Sequence, residues 1–462
     1  MILLAVCIGG LAAERIMKEK KSMVHTIDSF GAVGDGKTLN TAAIQAAVDA
    51  CAAAGGGTVV VPPGTYLTGT VFLKSNMTFR LESGAVLLGS PNIADYCSDD
   101  AYPQNGFSHA EGWCGAHLLV AVKQENITLT GPGVIDGNCG AFFGERQAEL
   151  WGGGLGWCRG IRTTDPAKAE FRPGQMVVFV QCRNIRMSDL SLRNSPCWTC
   201  FFHGCEKGQV RGVTIDNPVD GKNTDGIDID CCSQVTVSDC IIRTGDDGIT
   251  LRASGRRLKD HPAICEDITI TNCVLDTSVS GFRIGVGNGL IRNASISNIT
   301  IRYAGIGFLV QSAYGTARQG VSIENISVSG VRGRQVGYPV RITAGVFPAP
   351  GKTIRNIDFS GIHMECCGNI EISGGEGVAP DGISFRNCSF DVVRRDRPCR
   401  EEKRPKEFLD LRQCGTVSFL DCAMNWHGSD PEWERACRQE NVRQLNLKGS
   451  DFPDPPKTEK DK

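Results

Sequence analysis

From about residue 120 onward the chain repeats one short phrase, in which a polar residue, often Asn, opens an alternation of apolar and polar positions. It reads Asn126-Ile-Thr-Leu, Asn184-Ile-Arg-Met, Gln209-Val-Arg-Gly-Val, Gln234-Val-Thr-Val, Asp267-Ile-Thr-Ile, Asn298-Ile-Thr-Ile, Asn325-Ile-Ser-Val, Asn356-Ile-Asp-Phe and Gly382-Ile-Ser-Phe. A period of two predicts a short strand with one buried face. After the first interval the phrase returns every roughly 25 to 33 residues, a spacing typical of solenoids. Each repeat carries a second strand, such as Gly226-Ile-Asp-Ile-Asp, Gly248-Ile-Thr-Leu-Arg, Gly281-Phe-Arg-Ile-Gly and Gly307-Phe-Leu-Val-Gln. A β-sandwich has closer turn signals and no long-period self-similarity, and no amphipathic helices separate the strands as a βαβ fold requires. The pattern therefore predicts an all-β parallel β-helix. One strong helical segment, Thr41 to Ala54, stops at Gly55-Gly56-Gly57. It suits a cap over the first open coil.

Composition fits one solenoid. The chain has 462 residues, 56 of them Gly, well above the roughly 7% average. Coil corners needing φ > 0 would account for the excess. With 49 Lys plus Arg against 51 Asp plus Glu, no basic excess marks a nucleic-acid partner. No stretch reaches the length of a membrane span. The 22 cysteines read first as reduced and structural. Cys182, Cys205, Cys240, Cys273 and Cys388 recur beside strands, as a ladder of small buried side chains would. Disulfides are the second reading. Metal binding is the weakest, since Cys197-Trp-Thr-Cys200 is a lone CxxC.

Residues 1–22 read as a leader or a misassigned start, because the recognisable fold begins just after Met23. The preferred localisation is cytoplasmic. Secretion follows if residues 1–13, an apolar stretch with no preceding Lys or Arg, act as a signal sequence. The solenoid domain is expected over 23–450 and a disordered tail over 451–462.

The segment Pro218 to Arg252 carries the chemistry. Asn223-Thr-Asp225-Gly and Gly245-Asp246-Asp247-Gly lie about one coil apart. Stacked coils are separated by ~4.8 Å, so three carboxylates fall on one patch. Mutual repulsion should raise at least one pKa. One protonated acid for the leaving oxygen and one carboxylate for water are what glycoside hydrolysis needs. A single Asp in a turn can be merely an Asx-turn, and three acids could also hold Ca²⁺.

With these motifs the sequence resembles glycoside hydrolase family 28, the polygalacturonase-like hydrolases. The likeness runs over roughly residues 25 to 400, through Phe30-Gly-Ala-Val-Gly-Asp-Gly, Pro62-Pro-Gly-Thr-Tyr, Gly131-Pro-Gly-Val-Ile-Asp-Gly and Asn194-Ser-Pro-Cys-Trp to the two acidic motifs. The resemblance implies a single-stranded right-handed β-helix and inverting hydrolysis of a pectin-related saccharide. It implies Asp246 as general acid, Asp225 and Asp247 as the pair holding and deprotonating water, and Asn223 as an ordering group. No metal or cofactor is implied. Its carbohydrate substrate is the expected partner.

The sequence departs from the family beyond the acids. Ser280 stands where a Gly-His-Gly histidine is usual, and Leu309-Val-Gln311 replaces an Arg-Ile-Lys that faces a uronate carboxylate. Gln311 cannot supply a charge-assisted bond, so plain polygalacturonate is not the expected substrate. Arg283 and Arg252 are candidate replacement cations or else solvated surface arginines, and His203 reads as structural packing first and as a substrate contact second. By alternation Ser280 and Arg283 should point to opposite faces. A downstream family Tyr would fall near Val346 or Phe347, and Trp113, Trp151 and Trp157 are candidate sugar-stacking or packing residues. A polysaccharide lyase or epimerase, and a non-catalytic carbohydrate-binding solenoid, are the alternatives.

Overall fold

In the computed structural model the described residues are 23–97, 116–146, 159–161, 172–221, 223–255, 258, 260–314, 320–345, 349–394, 405–427 and 433–456. Residues 1–22 and the positions of Trp113, Trp151, Trp157, Val346 and Phe347 lie outside them.

The chain winds into a parallel β-helix with three strand-bearing faces. One face begins with Met23–Thr26, Gly57–Val61 and Met77–Leu81, and continues through Glu125–Thr130, Arg183–Ser188, Glu206–Arg211 and Ser233–Ser238. These are the strands of the repeating phrase, except that Asn298-Ile-Thr-Ile pairs with Val274 and Leu275 on the second face, and Asn293 opens the strand of this face in that coil. A second face stacks Ala85–Gly89, Val134–Asp136, Ser191–Arg193, Thr214–Asp216, Ile241–Thr244 and Val274–Thr277. The third stacks Leu119–Val122, Val177–Val180, Cys200–His203, Ile227–Asp230, Ile249–Ala253 and Ser280–Gly287. Every one of these pairings is parallel. The solenoid is right-handed, the hand that crossover connections between parallel strands favour.

One apolar core runs from Ile27 to Ala436 along the inside of the coils. Equivalent positions stack: the Phe282 and Phe308 rings lie 5.1 Å apart, Phe359 and Phe385 4.8 Å, and Phe385 and Phe419 4.7 Å. These distances match the rise between coils. The helix Thr41–Ala53 turns Ile44, Ala47, Val48 and Cys51 inward and packs against the first strands, as expected of a cap.

The opening polar residue of the phrase is a corner. Asn126, Asn184, Gln234, Asp267, Asn298, Asn325 and Asn356 all have φ between 54° and 57°. Asn tolerates this left-handed conformation because its short amide can bond locally. Here the amides also bond from coil to coil, Asn126 Nδ2 to Asn76 Oδ1 at 2.8 Å and Asn184 Nδ2 to Asn126 Oδ1 at 2.7 Å. In the coil between Asn184 and Gln234 the corner is Lys207, φ 60°, and Gly208 pairs with Ile185. The phrase there begins two residues before Gln209.

The glycine expectation holds at corners such as Gly212, Gly330 and Gly382, with φ of 62°, 64° and 66°, and is corrected elsewhere. Many corners are Asn, Asp or Gln, whereas several glycines serve close approach of coils. A Cβ on Gly226 would stand 2.4 Å from the Gly248 carbonyl oxygen, and one on Gly245 2.4 Å from that of Gly221. Cys182, Cys205, Cys240, Cys273 and Cys388 are buried thiols beside strands. The expected disordered tail is also corrected up to Pro456. Phe452 packs 5.3 Å from the Phe419 ring, the Trp426 indole N–H donates to the Pro453 carbonyl at 2.9 Å, and the Met424 N–H donates to that of Asp451. The last coil would otherwise expose its open end, and this segment covers part of it. Residues 457–462 lie outside the described set.

Candidate active site

The third face carries the acids at strand entry. Thr224 fixes the two turns against each other: its hydroxyl donates to the Gly221 carbonyl and accepts from the Gly245 N–H, both at 3.0 Å. The Gly226 N–H donates to the Asp247 carbonyl at 2.9 Å. Hydroxyls of Thr244 and Thr277 both donate to the Asp246 carbonyl. Carboxylate oxygens of Asp225, Asp246 and Asp247 consequently lie within 4.8 Å of one another. Asp225 and Asp247 are buried and Asp246 is partly exposed. Among the described residues this is also the group whose oxygens could hold a hard cation.

Burial, then Asp246, Asp228 and Asp247, push the Asp225 carboxyl well above the usual carboxylate range. Its Oδ1 is buried without a hydrogen-bond partner. Asp247 accepts from the Ser280 N–H at 3.1 Å and from the Arg283 guanidinium at 3.2 Å. Burial works against the Arg283 charge, but Asp247 and Asp246 more than offset it and its pKa is raised. The cluster therefore joins a carboxyl that holds its proton to a carboxylate beside a fixed cation.

The predicted residues divide into three groups. Asp225, Asp246, Asp247, Ser280 and Arg283 come together. Ser280 and Arg283 diverge as alternation requires: the serine presents its backbone N–H to Asp247 while its Oγ is buried without a partner. Asn223 and Gln311 flank them. The Asn223 amide oxygen accepts from Arg172 at 3.0 Å, and Gln311 Oε1 accepts from Arg283 at 3.4 Å.

Arg252 and His203 sit behind the acids. The Arg252 guanidinium lies 4.3 Å over the Trp198 ring, 3.6 Å from Asp228 and 3.8 Å from Asp230. His203 is fully buried, 3.4 Å from Asp230 and edge-on to Phe201 at 4.9 Å. Of the two readings of His203, packing agrees with this burial and substrate contact does not, since no part of the ring reaches solvent. Arg252 is likewise engaged and does not line the cleft beside the acids.

Four features were not read from the sequence. Asp228 lies among these groups, receives the Thr250 hydroxyl, and is pushed up to about 7 by burial against the opposing pull of Arg252. Asp230 is lowered because His203, Arg252 and the Ser254 N–H outweigh its burial. The Ile-Asp-Ile-Asp alternation of this strand was the available signal. Arg172, fully buried, ties the Pro196 carbonyl to Asn223. A cleft of about 640 Å³ opens from Arg283 toward later coils, lined among others by Tyr314, Tyr338, Arg341, Glu371 and Arg412. No local motif announced these last five.

The sequence profile of the Glycosyl hydrolases family 28 matches residues 51–379. The chain belongs to this family. It is 32% identical over 229 residues to a probable polygalacturonase of Vitis vinifera, covering 48% of this chain and 43% of that protein. It is 31% identical over 259 residues to an exo-poly-alpha-D-galacturonosidase of Dickeya chrysanthemi, covering 50% and 42%. The chain thus spans less than half the length of these curated relatives. The fold matches the family 28 exopolygalacturonase of Yersinia enterocolitica with a TM-score of 0.68 at 20% identity, over 93% of this chain and 79% of that one.

Proposed function

We propose that this family 28 member is a glycosidase that cleaves an O-glycosidic bond of a pectin-related poly- or oligosaccharide with inversion, and that plain polygalacturonate is not its substrate. The observation that carries the reading is the set of three carboxylates within 4.8 Å, with Asp246 the partly exposed one and Asp247 braced by Arg283. Asp246 is the partly exposed member, so it is the one able to reach a glycosidic oxygen and protonate it. Asp225 and Asp247 lie deeper and hold the water that attacks the anomeric carbon. Gln311 and Leu309, in place of charged groups, support the exclusion of plain polygalacturonate.

The test is a panel of pectic oligosaccharides and aryl glycosides with product analysis and an Asp246→Asn control. The oxygens approach more closely than the roughly 6.5–9.5 Å usual between the two carboxyls of an inverting pair. The anomer released first, read by proton NMR, is therefore decisive: retention overturns the mechanism. Hydrolysis of unsubstituted polygalacturonate at ordinary enzymatic rates overturns the substrate reading.

A further inference from the structure

The cleft beyond Arg283 is built of guanidiniums that already have carboxylate partners. Arg283 is held by Asp247 at 3.2 Å. Arg341 donates to Glu371 at 2.6 Å, and Arg412 reaches the other oxygen of the same carboxylate at 2.7 Å. Asp410 flanks Arg412 at 3.1 Å. Arg341 and Arg412 outweigh the effect of burial on Glu371 and, with Ser373, lower its pKa, so it stays ionised between them. The strand register places Leu309 between Arg283 and Arg341 in one column of side chains, and Gln311 pairs with Thr343 in the next. The column that could have offered an uncompensated cation is interrupted by an apolar residue.

A sugar carboxylate entering here would meet Glu371 at the point where two guanidiniums converge, and would have to displace it. A neutral sugar meets a different surface. Glu371 accepts and the arginines donate, a pattern that suits adjacent hydroxyl groups. Two aromatic rings stand at the wall. Tyr314 is 47% exposed with Arg283 4.1 Å over its ring, and Arg341 lies 4.8 Å over the ring of Tyr338. Aromatic side chains join a broad apolar face to a polar edge, as a sugar ring requires.

We infer that this cleft receives a neutral sugar bearing vicinal hydroxyls, seated next to the catalytic acids, and that Glu371 is the residue that excludes a uronate there. The inference rests on the glycosidase reading for its catalytic context, but its test is binding. In an Asp246→Asn background, α-1,4-trigalacturonate is compared by calorimetry with the same trisaccharide carboxyl-reduced to galactose. The reduced trisaccharide should bind at least about tenfold more tightly, an energy difference within reach of one misplaced charge. Glu371→Gln in the same background should narrow or reverse that ratio by freeing the two arginines. Equal or tighter binding of the uronate in the Asp246→Asn protein overturns the inference, as does absence of binding by either trisaccharide. So does a folded Glu371→Gln variant with an unchanged ratio. If Glu371→Gln does not fold, the ratio in the Asp246→Asn protein decides alone. Failure of the wild-type protein to hydrolyse any pectic saccharide, with the binding preference intact, would instead overturn the glycosidase reading and leave the cleft assignment standing.

Discussion

The acid patch and the cleft beside it are adjacent on one face of the solenoid, yet they are assembled differently. The patch draws its three carboxylates from two turns one coil apart, and the backbone sets their positions. Thr224 bonds the two turns together, and Gly226 and Gly245 allow coils to approach where a Cβ would collide. The cleft draws one or two side chains from each of several successive coils, and long ion-paired arginines define its surface. Backbone-set groups keep their geometry without substrate, as catalysis requires. Side-chain pairs can be exchanged without disturbing the coil. Under the proposed function, the chemistry belongs to the rigid region and sugar selection to the exchangeable one.

The largest test of this division is Asp246→Asn, which should lower kcat roughly 10²–10⁴-fold on any substrate found. Circular dichroism should be unchanged, because the backbone rather than this carboxylate holds the turn. A fall confined to KM would break the comparison.

Arg283 belongs to both regions. Arg283→Gln removes the guanidinium that donates to Asp247 at 3.2 Å, so kcat as well as kcat/KM should fall. A drop of about 10²-fold near neutral pH is expected. A change confined to KM would assign Arg283 to the cleft alone.

On the cleft side, Tyr314→Ala should raise KM by about two- to tenfold with kcat little changed, the signature of lost uniform binding. An equal fall in kcat would mean that the two regions are not separable.

The smallest effect concerns stability. Asp228 titrates at about 7 in the fold because burial outweighs Arg252, against about 3.9 in an unfolded chain. The native state holds the extra proton between these values. The resulting stabilisation is complete below the unfolded value and is lost as pH rises through the folded one. Tm should therefore fall by a few degrees between pH 5 and pH 8, and Asp228→Asn should flatten that slope in a thermal scan. An unchanged slope would remove Asp228 from the buried charge network.

Much of the fold was legible because its signals are local and repeated. The period of two in Asn184-Ile-Arg-Met and its relatives predicted the strands, and the repeat predicted their stacking. What the opening Asn does was less legible. It occupies a left-handed corner and bonds the Asn of neighbouring coils, so many corners do not need Gly. The acids were legible because two compact motifs stand one coil apart. His203 was left between packing and substrate contact because alternation fixes the side of a strand and does not say what covers that side. Trp198, Phe201 and Arg252 lie on the same outward layer and close it off. Phe452 was hidden in a polar tail whose partners, Phe408 and Phe419, lie 44 and 33 residues earlier, both on the strand Glu407–Leu420.

The sequence by itself determined the solenoid, its helical cap, the three acids and the loss of the usual cation pair, since each is written within one coil or its repeat. Only the tertiary structure decided where the remaining charges go. Arg172 reaches Asn223, Arg252 turns to Asp228 and Asp230, and Glu371 joins Arg341 to Arg412. Such pairs link positions about 20 to 50 residues apart, in a solenoid whose coils repeat at that spacing. A long side chain can choose among several neighbours across stacked coils, and burial and charge in the folded protein select which one it takes.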